Sequence, residues 1–286
     1  MTDTLAFKLA WRLLAYSGLV AAAAGFVFFW IYAHPKRFVS SVRPGVRHEA
    51  VKLTTSDGVE LDGWFLPHAS SKAAVIICHG YPMDKGDVLA MTSFLGRDFN
   101  LLYFDFRATG RSKGFFSTGG AREKRDIDAA VKYLETRGLG GGIGLYGFSM
   151  GAAAALLSAN PSVRARALDS PYATLAGEMD HIFREFGALR KPLLAVMKLW
   201  SLVLMGVNID AVSPAAAAAE LKTPLFIAHG DADTQVPVAS AYRIREAKPD
   251  TELLIVKGAE HGGAAELAGG EYEKRITAFF REHLRP

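Results

Sequence analysis

Six short apolar runs recur along the chain: AAVIICHG (73–80), FNLLYFDF (99–106), GGIGLYG (141–147), ARALDS (165–170), TPLFIAHG (223–230) and TELLIVKG (251–258). Near-continuous apolar runs of this length suit strands covered on both faces. Helical patterns separate or follow them: KGDVLAMTSFLGRD (85–98), AREKRDIDAAVKYLETRG (121–138), SMGAAAALLSAN (149–160), PVASAYRIREAK (237–248) and EYEKRITAFFREHL (271–284). Such alternation predicts an α/β architecture with a mostly parallel central sheet and helices on both faces. Upstream, HEAVKLTTSDGVELDGWFLP (48–67) reads as two alternating stretches turned at Ser56-Asp57-Gly58, a hairpin signal.

The rhythm breaks in two places. Between LDSPYATL and TPLFIAHG lie nearly fifty residues, read as a helical cap insertion over 172–220. Within it Leu193–Val207 carries one charge, Lys198, and is too short to cross a bilayer. It is either a core-packing helix or a cap presenting an apolar surface to an acyl chain or to lipid. The other break is Leu13–Ala33, LLAYSGLVAAAAGFVFFWIYA, 21 residues without a charge. That length matches a membrane span, and Trp30 and Tyr32 near one end suit an interface. A cleaved leader would have a shorter apolar region and a small-x-small end, so residues 1–33 are read as an uncleaved single-pass anchor. Residues 34–48 follow as a basic linker suited to anionic headgroups, and 49–286 as the catalytic domain. Lys36, Arg37, Arg43 and Arg47 after the span outnumber Lys8 and Arg12 before it, which leans toward a cytoplasmic catalytic domain.

Composition narrows the partners. A net charge of +4 with no basic run interleaved with aromatics argues against nucleic acid. The single cysteine, Cys78, excludes an intramolecular disulfide and a cysteine-built zinc site, and reads as a small buried hydrophobe.

G-x-S-x-G, the signature of a serine on a sharp strand-to-helix turn, occurs twice, as GRSKG (110–114) and GFSMG (147–151). Context separates them. IGLYG runs as a strand into Ser149, and MGAAAALL then favours a helix. After Ser112 comes GFFSTGG, too rich in Gly and Ser to hold one, so Ser112 is a loop residue. A serine nucleophile needs a base, and the base needs a group that fixes its tautomer. In an open α/β sheet such groups gather beyond the carboxyl ends of strands. Asp231 and Asp233 follow one late strand and His261 the last, giving the order Ser, Asp, His. Asp169 is a rival acid at another strand end. His283 is a rival base, but it sits in a polar tail. His229 reads as structural, and His34, His48, His68 and His181 lack strand-end context. The backbone N–H groups of Met150 and Tyr81 are the expected oxyanion donors. No metal or organic cofactor is called for.

Taken together, CHGYP, DFRATGRSKG, GFSMG, LDSPYA, AHGDADTQVP and GAEHGG resemble the α/β-hydrolase superfamily over residues 48–286. Within it the chain is most similar to membrane-anchored abhydrolase-domain serine hydrolases and prolyl-oligopeptidase-like relatives. The resemblance implies an α/β-hydrolase fold. It places the acid of H-G-x-x-D-x-x-V-P at Asp233 rather than Asp231. DFRATGRSKG becomes the structural loop after the fourth strand, with Ala108 where relatives usually carry Gly. The expected function is a membrane-anchored serine hydrolase of carboxylic or thio-esters with lipophilic acyl groups. A peptidase or amidase on the same triad, and a non-catalytic membrane-tethered binding protein, are the alternatives.

Overall fold

A computed structural model describes residues 2–284. Met1, Arg285 and Pro286, outermost in the expected anchor and catalytic domain, lie outside the described residues. Eight strands form one sheet: β1 (Glu49–Thr54), β2 (Glu60–Leu66), β3 (Ala74–Cys78), β4 (Asn100–Phe104), β5 (Ile143–Phe148), β6 (Val163–Asp169), β7 (Leu225–Gly230) and β8 (Glu252–Val256). Their spatial order is β1-β2-β4-β3-β5-β6-β7-β8, with β2 antiparallel to both neighbours and the other pairs parallel. The expected hairpin is β1–β2, closed by Gly58 at φ +80°.

Apolar side chains alternate between two cores, which is why these strands needed apolar residues at successive positions. Ala74, Ile76 and Cys78 of β3 join one core, while Val75 and Ile77 join the other. The first core is covered by α3 (Lys124–Thr136), α4 (Met150–Leu157), α7 (Pro214–Glu220) and α8 (Ala239–Ala247). The second is covered by α2 (Leu89–Thr92), a 3₁₀ turn at Ser93–Arg97, α9 (Ala264–Ala268) and α10 (Gly270–His283). Each fully buried Leu, Ile or Phe contributes roughly 1.5–3 kcal/mol, so the two-sided sheet dominates stability.

The helix expected over 85–98 is shorter than its pattern. The Thr92 hydroxyl donates to the Val88 carbonyl at 2.6 Å, and beyond it the chain tightens into the 3₁₀ turn. The expected insertion 172–220 also divides. Its last helix, α7, packs Ala215 and Ala218 into the first core. The remainder forms a separate cap: α5 (Leu175–Ile182), a 3₁₀ turn at Arg184–Leu189, and α6 (Arg190–Trp200) continuing into a π turn at Ser201–Met205.

One helix, α1 (Thr2–Ala33), contains the expected apolar run. Phe7–Ala33 is long and apolar enough to be a membrane span, a test that a leader segment also passes. Its final turns dock on the cap. Phe29 and Ala33 share a third apolar cluster with Phe183, Leu193, Leu194 and Met197. The linker docks as well: Arg37 donates to the carbonyls of Ser112 and Gly114 at 2.8 and 2.6 Å, and the Ser40 N–H donates to Asp84 at 2.8 Å. Lys36 and Arg47 of the basic linker are exposed, whereas Arg37 is engaged with protein.

Candidate active site

Successive crossovers run to opposite sides of β3, since β4 lies on one side and β5 on the other. A crevice opens beyond the carboxyl ends at such a switch point. Tyr81 follows β3 and Ser149 follows β5, so both reach it. Ser149 has φ +53° and ψ −116° between the strand and α4, a backbone state that non-glycine residues rarely hold. Close packing forces the turn. A Cβ on Gly151 would stand 2.2 Å from the Cys78 carbonyl oxygen, and one on Gly147 would stand 2.6 Å from the Ala152 Cα. Only glycine lets β5, β3 and α4 approach this closely.

His261 lies beyond β8, and its Nε2 is 3.0 Å from Ser149 Oγ. Its Nδ1 is 2.7 Å from Asp233 Oδ2 in the loop after β7. Asp233 Oδ1 accepts the N–H groups of Gln235 and Val236 at 2.9 and 2.8 Å. Burial alone would raise the Asp233 pKa, but the polar contacts of His229 and His261 and the Val236 N–H hold it below the usual carboxylate range. An ionised carboxylate only accepts, so His261 carries its proton on Nδ1 and turns the Nε2 lone pair to the serine hydroxyl. The Phe148 ring backs the imidazole, with centroids 4.9 Å apart.

The rivals are held elsewhere. Asp231 accepts the Gly258 N–H at 2.6 Å. Buried Asp169 accepts the hydroxyls of Tyr272 and Ser170 at 2.7 and 2.9 Å. His283 ends α10 against Phe279. Ser112 is a buried loop residue that donates to the Asp105 carbonyl at 2.6 Å and accepts the Asp62 N–H at 2.9 Å. Ala108 in that loop takes φ +63°, the state for which glycine would be the unstrained choice. Cys78 is buried, with its thiol pKa raised by burial.

Four residues near the site carry more than their sequence context suggested. His229 Nε2 donates to the Val236 carbonyl at 2.8 Å and lies 3.4 Å from Asp233 Oδ2, bracing the acid. His79 bonds the Gly80 carbonyl at 2.7 Å through Nδ1 and accepts the Phe106 N–H at 2.9 Å through Nε2, which fixes the loop carrying Tyr81. Burial lowers its pKa, keeping it neutral. The H-G pair after β3 was the available signal. Glu178, on α5, had none: it lines the cavity above Ser149, where burial and then the Asp233 charge push its pKa up to about 8. His181, on the same helix, also lines the cavity.

That cavity holds about 560 Å³, within the ordinary range of about 300–1,000 Å³ for small-molecule sites. Ser149, His261, Tyr81 and Met150 form its base, and mostly apolar side chains of the cap and α1 form its walls. Met150 opens α4, where the first N–H groups of a helix have no intrahelical acceptor. Among the described residues, no group of three or more His, Cys, Asp or Glu is arranged to hold a metal.

Sheet order, strained turn and hydrogen-bonded side chains define a serine hydrolase with the α/β-hydrolase fold. Residues 57–210, more than half of the chain, match the family model described as X-Pro dipeptidyl-peptidase (S15 family), and residues 201–286 match the prolyl oligopeptidase family. The chain belongs to the S15 family, within the α/β-hydrolase superfamily. It is 29% identical over 241 residues to the uncharacterized protein YqkD of Bacillus subtilis, covering 80% of this chain and 78% of that one. It is 28% identical over 289 residues to the uncharacterized protein Rv2307c of Mycobacterium tuberculosis, covering 95% and 96%. Among solved structures, the esterase Pf2001 of Pyrococcus furiosus superposes with a TM-score of 0.73 at 28% identity, over 90% of this chain and all of that one. The α/β hydrolase GrgF of Penicillium sp. sh18 shares the fold, with a TM-score of 0.68 at 20% identity over 84% and 99%.

Proposed function

We infer that the protein is a membrane-anchored serine hydrolase that cleaves carboxylic or thio-esters of lipophilic acyl groups. Ser149 Oγ attacks the carbonyl carbon as His261 Nε2 takes its proton. Asp233 holds the imidazole in register and stabilises its charged form. The backbone N–H groups of Met150 and Tyr81 receive the oxyanion. Collapse of the tetrahedral intermediate expels the alcohol or thiol, which leaves with the proton from His261. Water, deprotonated by the same base, then frees the acid. The observation that carries this reading is the unbroken Ser149–His261–Asp233 line at the base of an apolar cavity. α1 serves as a single-pass anchor, with the catalytic domain on the cytoplasmic side.

A fluorophosphonate probe is expected to label the wild type and not Ser149→Ala; labelling that persists in the variant refutes the assignment. Protease accessibility of the C-terminus in sealed vesicles reads the orientation. The S15 and S9 family models favour a second reading, a peptidase on the same residues. Faster turnover of aminoacyl anilides than of nitrophenyl esters would decide for it.

A further inference from the structure

The cavity over Ser149 has a wall that the catalytic domain does not supply. Phe29, Tyr32 and Ala33, in the final two turns of α1, line it together with the cap residues Phe183, Met197 and Met205, against which they pack. These turns are seated firmly. Gly25 faces Val196 of α6 so closely that a Cβ there would lie 2.4 Å from its Cγ1. The Phe26 ring meets Trp200 edge-on at 5.0 Å, and the Phe28 ring meets Phe186 at 5.2 Å. The Ser117 N–H donates to the Ala33 carbonyl at 2.8 Å, closing the helix end against the loop beside the site.

Toward its N-terminus, α1 leaves the protein. From Phe7 to Ala24 its described side chains are exposed or half-buried. At 1.5 Å per residue that stretch is roughly 27 Å long, close to the roughly 30 Å of a bilayer's hydrocarbon core. The cap, whose α6 packs against α1, exposes Leu199, Leu202, Val203 and Leu204. Soluble surfaces seldom gather so many large apolar side chains on one element.

We propose that the last two turns of α1 are a wall of the substrate site, and that the occupant is the acyl chain of a membrane-resident ester, laid against Phe29 and Ala33 with its carbonyl at Ser149. This rests on the ester-hydrolase reading above. The helix that tethers the enzyme thereby also sets the length of chain it accepts.

The test uses full-length protein in phosphatidylcholine vesicles and a p-nitrophenyl ester series from acetate to dodecanoate. The readout is the ratio of kcat/KM for decanoate to that for acetate. Taken within one preparation, the ratio is independent of the folded fraction. Wild type is expected to prefer decanoate. Ala33→Phe fills the wall and is expected to lower the ratio at least about tenfold, since one methylene of pocket fit is worth about 10–200-fold. Gly25→Leu, outside the cavity, displaces the wall from α6 and is expected to shift the ratio as well; it decides the question if Ala33→Phe yields no folded enzyme. Leu19→Phe, on the 67% exposed side of the same helix, is expected to leave the ratio as in wild type. If Ser149 is labelled and esters are cleaved, but the ratio in Ala33→Phe stays within about twofold of wild type, the proposed wall is overturned while the hydrolase reading stands. If wild type cleaves no ester, both fall together.

Discussion

Asp233→Asn exchanges one oxygen for a nitrogen, and the surrounding bonds dictate where that nitrogen goes. Oδ1 accepts two backbone N–H groups, from Gln235 and Val236, so the amide oxygen must remain there. The amide NH₂ is then forced to the Oδ2 position, 2.7 Å from His261 Nδ1 and 3.4 Å from His229 Nε2. Facing a donor, His261 Nδ1 becomes the acceptor and its proton moves to Nε2, which points at Ser149 Oγ 3.0 Å away. The lone pair that should take the serine proton is gone. Loss of the correct tautomer at such a triad costs ~10⁴-fold in kcat, equivalent to about 5 kcal/mol of transition-state stabilisation. The assay is kcat on a short p-nitrophenyl ester from pH 6 to 10, with circular dichroism and urea unfolding to establish the folded state. A folded Asp233→Asn enzyme retaining more than about a tenth of wild-type kcat would refute the reasoning, because the orientation of His261 would then not depend on the carboxylate.

Other perturbations test the scaffold. Lys85 is 2% exposed, with Nζ 2.6 Å from fully buried Asp105 and 2.7 Å from Asp62; Lys85→Met is expected to cost about 3–5 kcal/mol in urea unfolding, and a loss below about 1 kcal/mol would show that Asp105 finds another partner. Gly151→Ala drives a Cβ into the Cys78 and His79 carbonyls, and the displaced elbow should slow fluorophosphonate labelling by about 10²-fold; labelling at the wild-type rate would contradict the close packing. Glu178 binds its proton more tightly folded than unfolded, so its contribution to stability is full below about pH 4.5 and lost as pH rises through about 8. Glu178→Gln should flatten the fall in stability between pH 5 and 9, an effect bounded at roughly 5 kcal/mol and smaller as water reaches the half-buried carboxyl; identical pH profiles for variant and wild type would refute it.

The elements that could be read from the chain are those whose cause is local. Strands β3, β4, β5 and β7 are buried on both faces, and burial on both faces writes itself as a near-continuous apolar run. The elbow is legible because its two glycines flank Ser149 in one short motif, although Gly151 is demanded by the Cys78 and His79 carbonyls at the end of β3, and His261 because it follows a strand by a few residues. The 85–98 helix was overestimated because the Thr92 hydroxyl competes for a backbone carbonyl, a choice that periodicity does not register. α7 was assigned to the cap because small alanines alone do not tell which layer a helix joins.

Sequence by itself determined the layered α/β scaffold and the apolar character of α1 and singled out Ser149 and His261 as candidates, since each follows from short-range pattern. Spacing alone left Asp231 and Asp233 equal, and resemblance preferred the second. Only the tertiary structure gave that preference a physical cause, by aiming one carboxylate at His261 and the other at the Gly258 N–H. The seating of α1 against the cap, the bracing of Asp233 by His229 and the burial of Glu178 above the serine likewise belong to the fold. Apart from the His229–Asp233 contact, four positions apart, each depends on groups distant along the chain meeting in space, and no local pattern encodes such a meeting.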